Sequence, residues 1–395
     1  MGESKGRWVV PRAVVLSGAL GSGHDVVSEV VVGSLEGHGW RVRVLDCMEL
    51  LGSRGAEIGD KVFRRVTAMP AVYDAFHFAH LRQGSGLVRA LDRQATRRVV
   101  PAVEKELRGE EVQLLVATFA TGASVAAKLH PRIAPHKSMV LCTDVDPYWW
   151  WVWPEIDLYL VTSRSAVGSV RRFEPRAAVQ VVPPPVRPAF YRAPGQEAAR
   201  RKLGLPLGAR CVLLMGGGWG LGPVAQVAEG LAAMGIHVLA VAGHNAKLAA
   251  RLRAVDSSYV HPFGFTDRIP ELMAASDLVI TTPGATTCSE ARVVGRHLVI
   301  LDVLPGHGRQ NLQHELELGD ADASGHALAE VQRVVDAALG RIVRPLPTVV
   351  RDAREWPEAF SLALSSVGLA GHEDGRSVAR PSGDGLVTPF KRMRA

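Results

Sequence analysis

Short runs of branched apolar residues end in glycine-rich turns and give way to helical patterns along the whole chain. This alternation constrains the fold more than any other feature. RAVVLSGAL is the first run, followed by GSGHD and the helical stretch DVVSEVVVGSLEGHG; RVRVLDC, QLLVATFA, SMVLCTD, LYLVTS and VQVVPPP come after it. Strands that are apolar throughout are buried on both faces, and strand–helix repetition lays them side by side in parallel. Residues 183–210 are dense in Pro, Gly and Arg and read as a linker. The alternation restarts at Cys211 with CVLLMGGGWGLG and continues through HVLAVAG, SYVHPFGF, LVITTPG and LVILDVLPG, before a last helical stretch DAREWPEAFSLALSSVG. The expected fold is α/β. Residues 1–186 and 211–345 are expected to form two domains joined by a linker at 187–210, with a further helix within 346–370, and 371–395, polar and rich in Gly, Ser and Arg, is expected to be disordered. A cleft between two similar halves is the expected active site.

At 395 residues, 47% hydrophobic and 22% charged, the chain has the composition of a globular protein with large cores. Its four cysteines, Cys47, Cys142, Cys211 and Cys288, lie far apart without metal-ligand spacing, which fits reduced thiols in a cytoplasmic protein. The N-terminus lacks the apolar core of a signal peptide. No run approaches the roughly 20 apolar residues that span a bilayer. The expected location is therefore cytoplasmic, either free or peripheral at the inner face of the cell membrane. The formal charge of +7 favours an anionic partner. Residues 61–100 concentrate it: Lys61, Arg64, Arg65, Arg82, Arg89, Arg93, Arg97 and Arg98 stand against Asp74 and Asp92, with Phe63, Tyr73, Phe76 and Phe78 among them. This reads either as helices with a solvated basic face or as a surface for anionic lipid. No nucleic-acid motif accompanies the charge, so nucleic acid is not an expected partner.

Glycine-rich turns after strands expose backbone N–H groups, and a helix N-terminus adds its positive dipole end. Three places fit: Leu20 to His24, Gly216 to Gly220, and Pro283 to Glu290. No GxxxxGK[ST] occurs, which disfavours a P-loop. The third place is the strongest. Glu290 is expected in the first helical turn, where it either caps the helix or binds a ribose diol. Pro305 to Asn311 places further polar groups after another strand, at the sheet edge where ligands gather.

These residues resemble a known family. HPFGFTDRIPELMAASDLVITTPGATTCSEARVVGRHLVILDVLPGHGRQN is similar to the donor domain of UDP-sugar glycosyltransferases with the GT-B fold, nearest to the monogalactosyldiacylglycerol synthases and bacterial processive diacylglycerol glycosyltransferases. The peptidoglycan lipid-linked GlcNAc-transferase is a more distant relation. GSGH at 21–24 resembles the family's GGGH; Thr143-Asp144, Trp151 and Asp157 its TD…W…D; and Pro185 to Phe190 its PVRPxF. The resemblance implies two Rossmann-like domains with parallel sheets facing across a cleft, residues 1–186 binding the acceptor and 211–345 the donor, with the helix within 346–370 packing back on the first domain. It further implies inverting transfer of a sugar from a UDP-sugar to a hydroxyl of a lipid-like or natural-product acceptor, with neither metal nor cofactor. His24 and Asp144 are the implied catalytic residues, each a choice for the base. Gly217, Gly218, Trp219, Gly243, Gly284, Ala285, Thr286 and Thr287 would hold the diphosphate side of the donor. Phe265 and Thr266 would read uracil, Glu290 the ribose, and Gln310 and Asn311 the sugar and phosphates. Gly23, Phe119, Tyr148, Trp149 and Trp151 would meet the acceptor.

The departures from the family pattern fall mostly on the acceptor side. Tyr148 and Trp153 stand where the family carries histidines, and Thr118-Phe119 where it carries Thr-His; these weigh against diacylglycerol. His307-Gly308 replaces Gln-Glu and Thr282 to Ala285 replaces Lys-Pro-Gly-Gly, which weighs against glucose or galactose as the sugar. Three readings follow: a lipid glycosyltransferase at a membrane, a tailoring enzyme on a natural product, or a catalytically weak nucleotide-sugar-binding protein. Retention of GSGH and Asp144 argues against the third. In CTDVDPYWWWVWPEID, Asp144 and Asp146 have the spacing of a metal-binding Asp-x-Asp, but the resemblance assigns a role to Asp144 alone. The loop is expected to line the acceptor site with flat aromatic surface; a wedge into the membrane and core packing of one or two of the rings are the alternatives.

Overall fold

The fold is that of a computed structural model, which describes residues 10–369 apart from 19–21, 53–73, 75, 131, 134–135, 304 and 345. The expectations for the N-terminus, for Leu20 and Gly21, for most of the basic stretch before Asp74 and for the tail after 369 therefore lie outside the described residues.

Two six-stranded sheets account for the alternation. The first contains β1 (Arg12–Ser17), β2 (Arg41–Asp46), β3 (Leu114–Ala117), β4 (Lys137–Leu141), β5 (Leu158–Val161) and β6 (Val179–Val181), in the order β2-β1-β3-β4-β5-β6. The second contains β7 (Cys211–Met215), β8 (His237–Val241), β9 (Val260–Phe263), β10 (Leu278–Thr281), β11 (His297–Leu301) and β12 (Ala321–Ser324), ordered β12-β11-β10-β7-β8-β9. Every pairing is parallel. The chain is thus an α/β protein built on two Rossmann-like parallel sheets.

Each sheet is buried on both faces, as its unbroken apolar strands require. In the first, Val14, Leu16, Leu115, Ala117 and Val140 pack on Val99, Val103 and Trp151 on one side. Ala13, Val15, Leu114, Val116 and Met139 pack on Val31, Leu35, Trp356 and Phe360 on the other. The last two belong to the helix Glu355–Ser366, which returns from the end of the chain to the first sheet. Trp356 donates its indole N–H to Ser34 Oγ at 2.8 Å, and Gln180 donates to the Ala359 carbonyl at 2.9 Å.

The stretch expected as a linker is more than a link. It folds as the helices Pro188–Tyr191 and Gln196–Leu203, and Phe190 and Ala199 are fully buried in the core of the second sheet. Arg200, 1% exposed, pairs with fully buried Asp277 at 2.9 Å and donates to the Ala275 carbonyl. The arginines of this segment are structural as well as solvating. The strand β12 has no counterpart among the sequence expectations: its ADAS residues are polar and small, and it forms an edge of the sheet.

Strand order fixes where ligands can sit. It reverses between β1 and β3 in the first sheet and between β7 and β10 in the second, and the loops leaving those strands open a crevice at each reversal. These loops lead to Gly18, Gly23 and His24, Thr118-Phe119, Gly216 to Gly220 and Thr282 to Thr287.

Candidate active site

At the first reversal the helix Ser22–Gly37 begins, so His24 lies in its first turn. Ser28 on the same helix anchors it from below: its hydroxyl lies 3.0 Å from Ser17 Oγ and 2.7 Å from Thr118 Oγ1, tying the ends of β1 and β3 together. His24 Nδ1 is 3.1 Å from the Thr118 carbonyl and 3.4 Å from Thr143 Oγ1. A carbonyl only accepts, so Nδ1 carries the proton and Nε2 keeps its lone pair. The ring meets Phe119 edge-on at 4.9 Å. A Cβ on Gly18 would fall 2.2 Å from the Phe119 ring, which is why glycine follows β1. Burial pushes the imidazole below its ordinary value, against the opposing pull of Asp144. His24 is therefore a neutral base at neutral pH. Asp144 is fixed in turn by Trp151, fully buried, whose indole N–H donates to Oδ2 at 2.8 Å.

At the second reversal, the helix Ala285–Val294 starts from Gly284 without a side-chain cap, leaving its first N–H groups open to the cleft. A Cβ on Gly23 would come 3.3 Å from Thr286 Oγ1, so the two helix starts face each other across the gap. Gly217 adopts φ +66°, and Gly243 (φ +58°) approaches so closely that a Cβ would fall 2.4 Å from the Gly218 carbonyl. That carbonyl accepts from His244 N at 2.9 Å, clamping the loops after β7 and β8 together, with Trp219 half-buried between. Phe265 is 67% exposed and stacks on His244 at 4.0 Å and 19°, and Thr266 Oγ1 accepts from Arg268 N. Asn311 donates to the Pro283 carbonyl at 3.0 Å; its buried Oδ1 has no hydrogen-bond partner among the described residues.

Glu290 differs from expectation. The helix starts at Ala285, so Glu290 lies in the second turn, too far along to cap. It is buried, and its Oε1 accepts from Arg187 Nη2 at 2.9 Å and Nε at 3.2 Å. Burial pushes its carboxyl up to about 7, with Arg187 pulling the other way. Gln310 also differs: its amide reaches across the cleft, donating to Asp146 Oδ2 at 2.7 Å and lying 3.3 Å from His77 Nε2. Asp146 is held by Arg82 at 2.6 Å as well, so it serves an ion pair and a cross-cleft bond. Among the described residues no cluster of His, Cys, Asp and Glu has the arrangement of a metal site.

The structure thus brings His24, Phe119, Asp144 and Trp151 together, opposite the donor-side glycines and Glu290. Tyr148 lies 5.6 Å from His77, ring to ring, and His77 lies 6.3 Å from His307. Trp149 turns the other way, against Gly84, Arg89 and Trp153. It does not share a wall with Trp151 as expected.

Comparison with solved structures decides the fold. A UDP-complexed Arabidopsis thaliana UGT89C1 superposes with a TM-score of 0.56 at 13% identity, over 84% of this chain and 90% of that one. Acinetobacter baumannii MurG gives 0.52 at 13% identity, over 91% and 95%. The chain has the GT-B fold. Residues 222–332 of this GT-B chain match the glycosyltransferase family 28 C-terminal domain. The chain is similar to the chloroplastic monogalactosyldiacylglycerol synthase of Spinacia oleracea, 36% identical over 147 residues, which are 34% of this chain and 28% of that protein. Monogalactosyldiacylglycerol synthase 2 of Arabidopsis thaliana is 33% identical over 152 residues, 36% and 32%. The GT-B chain spans about a third of the length of these relatives.

Several residues of the GT-B cleft escaped the sequence reading. Arg187 lay in a recognised PVRP motif but had no visible partner, since Glu290 is 103 positions away. Ser17 and Ser28 are small hydroxyls without a motif of their own, and Thr143 was read only as part of the TD pair. His77 and Asp74 fall in a stretch read for its charge; Asp74 accepts from Gly306 N at 2.5 Å and pairs with Arg309 at 3.1 Å. All four cysteines are buried and unpaired.

Proposed function

We propose that the chain is an inverting glycosyltransferase that moves a sugar from a UDP-sugar to a hydroxyl of a lipid-like or natural-product acceptor. The observation that carries this reading is the tautomer of His24: Nδ1 is committed to the Thr118 carbonyl, so Nε2 is free to take a proton, opposite an uncapped helix start. In the reaction the acceptor oxygen bonds to the anomeric carbon as the bond from that carbon to UDP breaks. UDP keeps the electron pair, and Nε2 of His24 takes the hydroxyl proton. Asp144 stabilises the resulting imidazolium. Amides of Gly217, Gly218 and residues 285–287 meet the leaving diphosphate, whose charge they stabilise most when water is excluded, while Gly284 N is held by the Thr282 carbonyl. The backbone at Phe265 and Thr266 reads the uracil, and Glu290 Oε2 accepts from the ribose. Gln310 lies near the sugar and phosphates, and the unpaired Oδ1 of Asn311, which can only accept, takes a hydrogen bond from a sugar hydroxyl.

The basic stretch supports attachment to an anionic membrane surface. On the helix Gly86–Glu106, Leu87 and Leu91 are 55% and 46% exposed beside the exposed Arg93, Arg97 and Arg98, the pairing that an interfacial helix needs. Among the described residues no helix is long and apolar enough to cross a membrane. The direct test of function is a panel of UDP-sugars scored by thermal shift, followed by UDP release with lipid and small-molecule acceptors. Folded protein that neither binds a UDP-sugar nor releases UDP refutes the reading.

A further inference from the structure

This inference rests on the transfer reading and concerns the acceptor. Behind the Trp149–Trp151 turn, away from Asp144, lies a cavity of about 530 Å³. Its floor is the indoles of Trp149 and Trp153, 5.4 Å apart and tilted by 57°. The Arg89 guanidinium stands 5.5 Å from the Trp149 ring and the Lys128 ammonium 4.8 Å from the Trp153 ring. Arg93 and Arg172 add charge at the rim, and neither has an ion-pair partner among the described residues. The lining carboxylates are already engaged. Buried Asp92 accepts from Lys128 at 2.5 Å and from Trp150 Nε1 at 3.0 Å, and Glu174 accepts from Arg176 N at 3.1 Å. A second cavity of about 280 Å³ shares Arg93 and Lys128, and its lining adds Arg97 and Arg132 but no carboxylate.

Two facts connect this cavity to the reaction. One short turn presents Trp151 to Asp144 and Trp149 to the cavity, so the two residues are about 4 Å apart along the turn's axis. The floor also uses Trp153, at a position where the chain departs from the family pattern. Guanidinium forks match phosphate oxygens in pairs, and indole faces suit an apolar body.

We propose that this cavity binds a phosphate group carried by the acceptor on an apolar body, so that the acceptor is an anionic molecule rather than a neutral lipid. The body is either an acyl-type chain or a flat ring. Calorimetric titration of the full chain with decyl phosphate and with 1-naphthyl phosphate, each against its neutral alcohol, separates these sources. Each bound phosphate probe should be at least tenfold tighter than its alcohol, and the tighter of the two identifies the body. The double variant Arg93→Gln/Arg172→Gln, altering two exposed side chains, should lose that advantage while binding UDP like the parent. Equal binding of phosphate and alcohol, unchanged phosphate affinity in the variant, or displacement of the probe by UDP overturns the site. For the link to transfer, UDP release from a UDP-sugar mixture should be faster with 10-hydroxydecyl phosphate than with 1,10-decanediol, and only when both arginines are present. Equal rates overturn the acceptor assignment. Absence of UDP binding in the parent refutes the transfer reading instead.

Discussion

Replacing Arg187 with methionine removes the guanidinium beside Glu290 but keeps a stem to pack on Phe190, 5.1 Å away. Stability should fall in a pH-dependent way. The Glu290 side chain is 4% exposed and that of Arg187 28%, so water screens the pair little. With Arg187 present the carboxyl sits at about 7, against an ordinary 4.5. At pH 7 the folded carboxyl is already partly protonated, so losing Arg187 costs little, under about 1 kcal/mol. At pH 9 the paired carboxylate is ionised, whereas the unpaired one must draw its proton from a solution a hundredfold poorer in them. Each tenfold in proton concentration is worth about 1.4 kcal/mol, so the loss grows toward about 3 kcal/mol. The sign is that of a carboxyl raised further above its unfolded value: the folded state holds a proton that the unfolded chain gives up, and stability falls as pH rises. Urea unfolding at pH 7 and pH 9 measures it in the parent, Arg187→Met, Glu290→Gln and the double variant. A loss equal at both pH values, or a pH dependence that survives in Arg187→Met/Glu290→Gln, refutes the reasoning.

Glu290→Ala should weaken UDP-sugar binding roughly 10- to 100-fold in calorimetry, the worth of hydrogen bonds to a charged group; unchanged affinity removes the ribose role. His24→Ala should lower kcat roughly 10²- to 10⁴-fold with UDP affinity intact. Because burial lowers the His24 pKa, its base form persists in acid, and the acid limb of kcat/KM should lie below the ordinary histidine value. Gly243→Ala forces a side chain onto φ +58° and 2.4 Å from the Gly218 carbonyl; it should cost about 1–3 kcal/mol in urea unfolding and loosen UDP binding. Arg97→Glu/Arg98→Glu should reduce sedimentation with phosphatidylglycerol vesicles, and equal sedimentation argues against that face.

What the chain discloses in sequence and what it withholds differ for physical reasons. Strands β1, β3, β4, β7, β8, β10 and β11 are unbroken apolar runs because both of their faces are covered, so burial alone marks them. At β12 the edge position removes that demand, and ADAS carries no periodic signal. Glycine loops were legible because parallel strands must end in them, and their pairing across the cleft follows from strand order. Contacts between distant segments were not legible: Arg187 meets Glu290 across 103 positions and Asp146 meets Gln310 across 164. Local spacing cannot encode such meetings, since the partners are set by how the two sheets face each other.

The tryptophan turn shows the same limit at short range. The family resemblance suggested that the rings of CTDVDPYWWWVWPEID share one wall. Backbone hydrogen bonds instead wind Trp149–Trp151 into a single tight turn, with Trp149 N donating to the Arg82 carbonyl and Trp151 N to the Tyr148 carbonyl. Three residues per turn point neighbouring side chains in different directions. Trp150 then finds Asp92, Trp151 finds Asp144, and Trp149 closes over Gly84, where any Cβ would strike its ring at 2.3 Å. Gly84, at φ +63°, is therefore as necessary to the aromatic partition as the indoles themselves. The partition divides a side where an indole holds Asp144 from a basic side on which Asp92 accepts from Lys128 and Trp150 and Glu174 from Arg176 N.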